Sequence, residues 1–588
     1  MKQKNTRMIA FAAAVMMAAG ALVSCGSKDV NSGPVTSDQK SHNKVSSAAG
    51  PNSTAGTTAN SAVQSEPIIS TTAGPDGAKA EEEYTAEAYD IQTNDAAGSP
   101  INRSMTANKG GAMALQEADA EEYSQPEENG FKLVSAEPVS TFSTDVDTAS
   151  YANARRMLTK GQRVYPESVR AEEFINYFSY DYKQPEGDCP IALTTELSDC
   201  PWNENSKLLL VGVQAKDIKQ ETRPAMNLVL LVDVSGSMSS KDKLPLVVSS
   251  FKMLAKNLDA NDRISIVTYS GEEKTVLDSA TGAEYDKIAA ALDSLEASGC
   301  TAGEAGINMA YALAEKNFIK GGNNRIVMAT DGDLNVGVSS AEELTALVEK
   351  KREGGVFLSV LGFGTGNLKD SRLEALADNG NGNYSYIDCE REAQKVLVSE
   401  MNGTLYTVAK DVKAQIEFDP SAVEAYRLVG YENRALTAED FTDDKKDAGD
   451  MGAGHSSTAL YEIVPVKGVL GSQGAGFLEL QGRDEGAEEN TQADKLLTVK
   501  LRYKQPDGDT SEEITAPVAA ADYVQKAPAN LAFASCAAEF AMFLRQSEYS
   551  SLTLDMIKFQ LTDNLLTDEY RREFKDMISM AEQNYTYN

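Results

Sequence analysis

Residues 227–238 read NLVLLVDVSGSM, an apolar run that stops abruptly at Asp233, Ser235 and Ser237, three oxygen-bearing side chains within five residues. A strand that is apolar at every position, rather than at alternate ones, needs cover on both faces, as the central strand of a parallel sheet does. Comparable runs follow at RISIVTYS (263–270), NRIVMATD (324–331) and VFLSVLGFG (356–364), with a shorter one at NYSYID (383–388). Between them lie amphipathic stretches: KLPLVVSSFKMLAKNL (243–258), AGINMAYALAEKNF (305–318), AEELTALVEKKRE (341–353) and DSRLEALAD (370–378). Alternation of this kind predicts an α/β, doubly wound, mainly parallel sheet with helices on both faces, over residues 226–410. In such sheets ligands bind beyond the carboxyl ends of the strands, which is where Asp233, Ser235 and Ser237 fall.

Two further oxygen donors occupy equivalent places. Thr301 lies in SGCTAGEAG, a loop before a helix, and Asp331 ends the buried run VMATD. Hydroxyls and carboxylates without histidine or cysteine suit a hard cation, Mg²⁺ or else Mn²⁺ or Ca²⁺. Asp333, two residues further on, reads as an ordinary surface acid.

This set resembles the von Willebrand factor A (VWA) domain and its metal-ion-dependent adhesion site, whose pattern is Asp-x-Ser-x-Ser, then Thr, then Asp. The match holds at all five positions. The resemblance implies direct coordination by Ser235, Ser237 and Thr301, with Asp233 and Asp331 holding the metal's waters, and a protein partner that supplies a carboxylate to the open position. The flanks FSTDVDTASYANARR (142–156), VRAEEFINYF (169–178), CPWN (200–203) and GAGHSSTALYEIVP (452–465) resemble a narrower group, bacterial VWA lipoproteins with characteristic segments on either side of the A domain.

The chain starts with basic residues Lys2, Lys4 and Arg7, continues with an apolar stretch from Met8 to Val23, and reaches LVSC at Cys25. That order predicts a secretory signal over 1–25 and a lipid on Cys25, hence an extracytoplasmic protein anchored to a bacterial cell membrane or outer membrane. Its roughly 16 apolar residues fall short of the ~20 that span a bilayer. Residues 26–130 are Ser, Thr, Ala and Gly giving way to acidic clusters, with no aromatic residue before Tyr84; too little apolar surface is present to offset ordering, so a disordered tether is expected. With 88 acidic against 55 basic residues and a net charge of −33, the chain lacks the basic footprint that nucleic acid requires.

Around the α/β segment, residues 131–225 read as helices and then two antiparallel strands, PIALTTELS (190–198) and KLLLVGVQAK (207–216). Residues 411–525 read as β-rich, including STALYEIVPV (457–466), AGFLELQG (475–482) and DKLLTVKLRYKQPDGD (494–509), and 526–588 as helical. The strands on the two sides are expected to form one β-rich domain into which the A domain is inserted. Asp147 is placed to cap a helix beginning at Thr148. Of the six cysteines, Cys189 and Cys200 flank a strand about 30 Å long and are expected to stay apart. With only His42 and His455 in the chain, and with Ser249-x-x-Lys252 inside a helix, no hydrolase motif is complete. The chain therefore reads as a binding protein and not an enzyme, with an envelope assembly or structural role as the alternative to adhesion and a serine hydrolase ranking last.

Overall fold

The structure, a computed structural model, describes residues 121, 123, 127–145, 147–218, 223–299, 303–332, 341–366, 368–446, 448–471, 494–506, 508 and 510–586. The signal segment with Cys25, most of the tether, Thr301, Asp333 and AGFLELQG lie outside the described residues.

The N-terminal flank supplies β1 (Lys132–Leu133), β2 (Val139–Ser143), α1 (Ala149–Thr159), α2 (Ala171–Asn176), β3 (Ile191–Asp199) and β4 (Lys207–Ala215). The middle of the chain supplies β5 (Met226–Asp233), α3 (Leu244–Lys256), β6 (Arg263–Tyr269), β7 (Glu273–Thr281), α4 (Tyr285–Asp293), α5 (Gly303–Lys316), β8 (Asn323–Thr330), α6 (Ala341–Arg352), β9 (Phe357–Phe363), α7 (Asp370–Asn379) and β10 (Tyr384–Ile387). The C-terminal flank adds β11 (Thr407–Phe418), β12 (Val423–Val429), β13 (Ala435–Leu436), β14 (Met451–Gly452), β15 (Ser456–Pro465), β16 (Lys495–Lys504) and β17 (Ser511–Ala519), followed by helices Ala529–Arg545, Leu554–Gln560 and Glu569–Thr586.

The middle sheet runs β10-β9-β8-β5-β6-β7 and is parallel except for β7, which pairs antiparallel with β6. All eight residues of β5 are buried. Their side chains divide by the period of two: Leu228, Leu230 and Val232 join the core beneath α3, and Val229 and Leu231 join the core beneath α5 and α6. The strand β7 and helix α4 are elements the sequence pattern did not reveal. β7 is an edge strand with mostly exposed or half-exposed residues, so its apolar signal is weak.

Strands from both flanks share two further sheets, β1-β12-β15-β4-β3 and β13-β2-β11-β16-β17. Val211, Val213, Tyr461 and Ile463 of the first enter one core with Ile416, Val499 and Leu501 of the second. The opposite face of β4, Leu208 and Leu210, is covered by α1, α2 and the C-terminal helices around Phe178, Phe533, Phe540 and Phe574. The α/β segment is thus an insertion in a frame built from both ends of the described chain. The C-terminal helices belong to that frame, because α1 and α2 share their core.

Three expectations need correction. Folded contacts begin before residue 131: Glu121 pairs with Arg156 at 2.9 Å, and the Asn129 amide donates to the Gly430 carbonyl at 2.7 Å. Asp147 caps nothing; it accepts from the Tyr384 backbone N–H at 2.9 Å and pairs with Arg434 at 3.0 Å, so its charge is spent on tying α1 to β10 and the β-rich frame. The frame also starts earlier than residue 411, since β11 begins at Thr407. Cys189 and Cys200 are free thiols, as are Cys389 and Cys536.

Candidate metal centre

β5 lies between β6 and β8, and the connections from β5 and β8 leave for opposite faces of the sheet. That divergence opens a crevice at the carboxyl ends of the two strands. Asp233 ends β5 and Asp331 follows β8, so both carboxylates face this crevice's rim, 0 % and 1 % exposed.

The loop after β5 is held in place by its backbone. Val234 N–H donates to the Tyr269 carbonyl at 3.0 Å and Gly236 N–H to the Gly299 carbonyl at 3.1 Å, while Ser298 N–H donates back to the Val234 carbonyl at 2.7 Å. Ser298 and Gly299 are thereby stitched to the loop that carries the serines. Asp233 Oδ1 accepts from the Ser235 N–H at 2.9 Å, an Asx-type turn that fixes the carboxylate, and the Ser235 and Ser237 hydroxyls are 3.0 Å apart. Asp233 Oδ2 lies 3.4 Å from the Thr330 hydroxyl, which accepts from Gly332 N–H at 3.2 Å.

Burial, reinforced by the charge of Asp331, pushes the Asp233 carboxyl up to about 6, against the stabilising hydrogen bonds from Ser235. Two buried carboxylates beside two converging hydroxyls form an oxygen-only donor set that fits a hard divalent ion. Among the described residues no group of three or more His, Cys, Asp and Glu is arranged to hold a metal, so hydroxyl donors are essential to any site here.

A residue that the sequence reading passed over sits at the same place. Lys243, just ahead of α3, extends its ammonium to Asp331 Oδ2 at 2.9 Å and is buried. Its alkyl chain lies against Gly364, where an added Cβ would come within 2.3 Å of Lys243 Cγ and where φ is +75°, so the turn in LGFGTGN accepts only glycine without a shift. The other motifs weighed in the sequence have ordinary roles. Ser249 donates to the Leu246 carbonyl within α3, and Lys252 pairs with Asp293. The His455 carbonyl accepts from Ala215 N–H, and burial pushes the imidazole down toward the neutral form.

The model for the von Willebrand factor type A domain matches residues 227–400, one for von Willebrand factor matches 117–210, and the C-terminal model of the uncharacterized protein YfbK matches 403–583. Uncharacterized protein YfbK of Escherichia coli (strain K12) is 42 % identical over 487 residues, covering 81 % of this chain and 84 % of that protein. The chain belongs to the YfbK family. It is a bacterial VWA-domain protein of α/β fold, consistent with a role in protein interaction. More distantly, inter-alpha-trypsin inhibitor heavy chain H3 of Homo sapiens is 30 % identical over 178 residues, which are 29 % of this chain and 20 % of that protein. Among solved structures, von Willebrand factor type A from Catenulispora acidiphila is 15 % identical, with a TM-score of 0.38, covering 68 % of this chain and 91 % of that one.

Proposed function

We propose that this YfbK-family chain is a lipid-anchored, extracytoplasmic binding protein whose VWA domain holds a divalent cation, Mg²⁺ foremost, and uses it to grip a carboxylate on a protein partner. The observation that carries the reading is the convergence of Asp233, Ser235, Ser237 and Asp331 at the crevice between β5 and β8. Ser235 and Ser237, with Thr301 from the adjoining loop, serve as direct ligands, and the two aspartates orient the metal's waters. A cation held mainly by neutral hydroxyls keeps much of its charge and so attracts an acidic side chain. The role is binding rather than catalysis. Cys25 carries the lipid, and the segment up to about residue 120 spaces the folded part from the membrane.

Calorimetric titration of the full-length chain with MgCl₂ and MnCl₂, beside Asp233→Ala and Thr301→Ala, tests this reading. The expected result is saturable binding by the parent and at least a tenfold loss in each variant, with circular dichroism unchanged. Equal metal binding by parent and variants would rule the site out. Binding to the cell's own envelope proteins that survives chelation would rule out the metal-dependent mode.

A further inference from the structure

At the opposite end of the β-sheet from the candidate metal centre, a cleft of about 460 Å³ opens between the A domain and the β-rich frame. Arg325, near the start of β8, lines it. This guanidinium is 2 % exposed, donates from Nη1 to the Ser359 hydroxyl at 2.7 Å and lies 5.5 Å from the Phe357 ring centre. Its Nε has no hydrogen-bond partner. Among the described residues Arg325 forms no ion pair, unlike the buried Arg155, Arg170 and Arg427 and the half-buried Arg434, each of which meets at least one carboxylate. Burial pushes Arg325 down to about 10, with the field of Asp450 only partly opposing that. A buried cation without an anion is costly, and the cost is recovered when an anion enters.

The rest of the lining decides the size and type of ligand. Arg434 also borders the cleft, but its charge is already taken by Asp147 at 3.0 Å and Asp378 at 2.8 Å. Asn383 and Asn433 add amides, Arg352 and Lys446 add cations, and Asp145, Glu349, Asp378 and Asp450 add carboxylate acceptors suited to the hydroxyl or amine hydrogens of the same ligand. The volume lies within the range of small-molecule sites. We infer that this cleft is a binding site for a small polar ligand bearing an oxyanion, a carboxylate or a phosphate, seated on the Arg325 guanidinium. Planar forked donors match both anions. The site joins the inserted domain to its frame, and it stands independently of any metal at Asp233.

The test uses the full-length chain in NaCl, with sodium acetate or sodium phosphate added at constant ionic strength, and reads calorimetry and thermal unfolding. Expected is a saturable rise in unfolding temperature with acetate or with phosphate, the better anion naming the source of the oxyanion. Arg325→Met should weaken that response at least tenfold, yet unfold in NaCl alone no earlier than the parent, because it removes a buried unpaired charge. Ala435→Glu, at an exposed residue of the cleft wall, places a competing carboxylate in the site and should also abolish the response with the fold intact. A parent indifferent to both anions, or variants that respond as the parent does, would overturn the inference.

Discussion

Lys243 shows how one residue sets the character of a site. Its ammonium, 2.9 Å from Asp331 in a buried setting, already neutralises one of the two carboxylates that a divalent ion would meet. Removing it by Lys243→Met keeps most of the alkyl volume against Gly364 while deleting a like charge from the metal's surroundings. At an effective dielectric near 20 a unit charge about 4 Å away opposes another by about 4 kcal/mol, and a divalent ion by about twice that before water and counter-ions screen it. Mg²⁺ affinity of Lys243→Met should therefore rise at least tenfold in calorimetry. Unchanged or weaker binding would show instead that the lysine organises Asp331 for the metal. The sequence hid this residue because a lysine ahead of a helix looks like any solvated one; its partner lies 88 residues away. Asp233, Ser235, Ser237 and Asp331 of the candidate site were readable because they follow β5 and β8, whose uninterrupted apolar runs the local sequence announces.

At the level of elements, the parallel strands were legible because burial on both faces leaves an uninterrupted apolar run, as in β5. β7 was not, because an edge strand needs one covered face and carries EKTVLDSAT with exposed Glu273, Lys274 and Thr275. Asp147 failed as a cap for a related reason: its local signal is identical to that of a cap, and only Tyr384 and Arg434, 237 and 287 residues on, turn it elsewhere. The C-terminal helices show how strongly distant segments are joined. Phe574, fully buried, lies 5.4 Å from Phe178 of the N-terminal flank and 5.7 and 5.5 Å from Phe533 and Phe540. Phe574→Ala leaves a cavity among rings that cannot collapse without moving α2, and losses of about 3–5 kcal/mol are usual for such a change. Denaturant unfolding should show that loss in the transition of the frame; a loss below about 1 kcal/mol would mean that the helix Glu569–Thr586 is not held by this cluster.

For the molecule as a whole, acidity acts in two places that respond to different variables. The net charge of −33 is mutual repulsion at the surface, screened over about 10 Å at 0.1 M salt, so the unfolding temperature should climb as NaCl rises from roughly 20 to 300 mM and then level off. Inside, carboxylates outnumber the arginines they surround: Arg170 meets Glu173, Asp370 and Glu374, and Arg434 meets Asp147, Glu374 and Asp378. Burial pushes Glu173 up to about 7 and Glu374 up to about 8, and it does the same to Glu539, up to about 8, with Gln560 only partly opposing it. Each of these groups holds its proton longer folded than unfolded. Their contribution to stability is therefore complete below pH about 4.5 and is lost as pH rises through about 7 to 8. Salt does not restore it, because buried groups are poorly screened. The expected observation is an unfolding temperature that falls between pH 6 and pH 9 at 300 mM NaCl, with Glu539→Gln more stable than the parent at pH 9 and its advantage shrinking toward pH 5. A parent whose stability is flat over that range, or a Glu539→Gln variant whose difference from it does not change with pH, would place the protons elsewhere than on these buried acids.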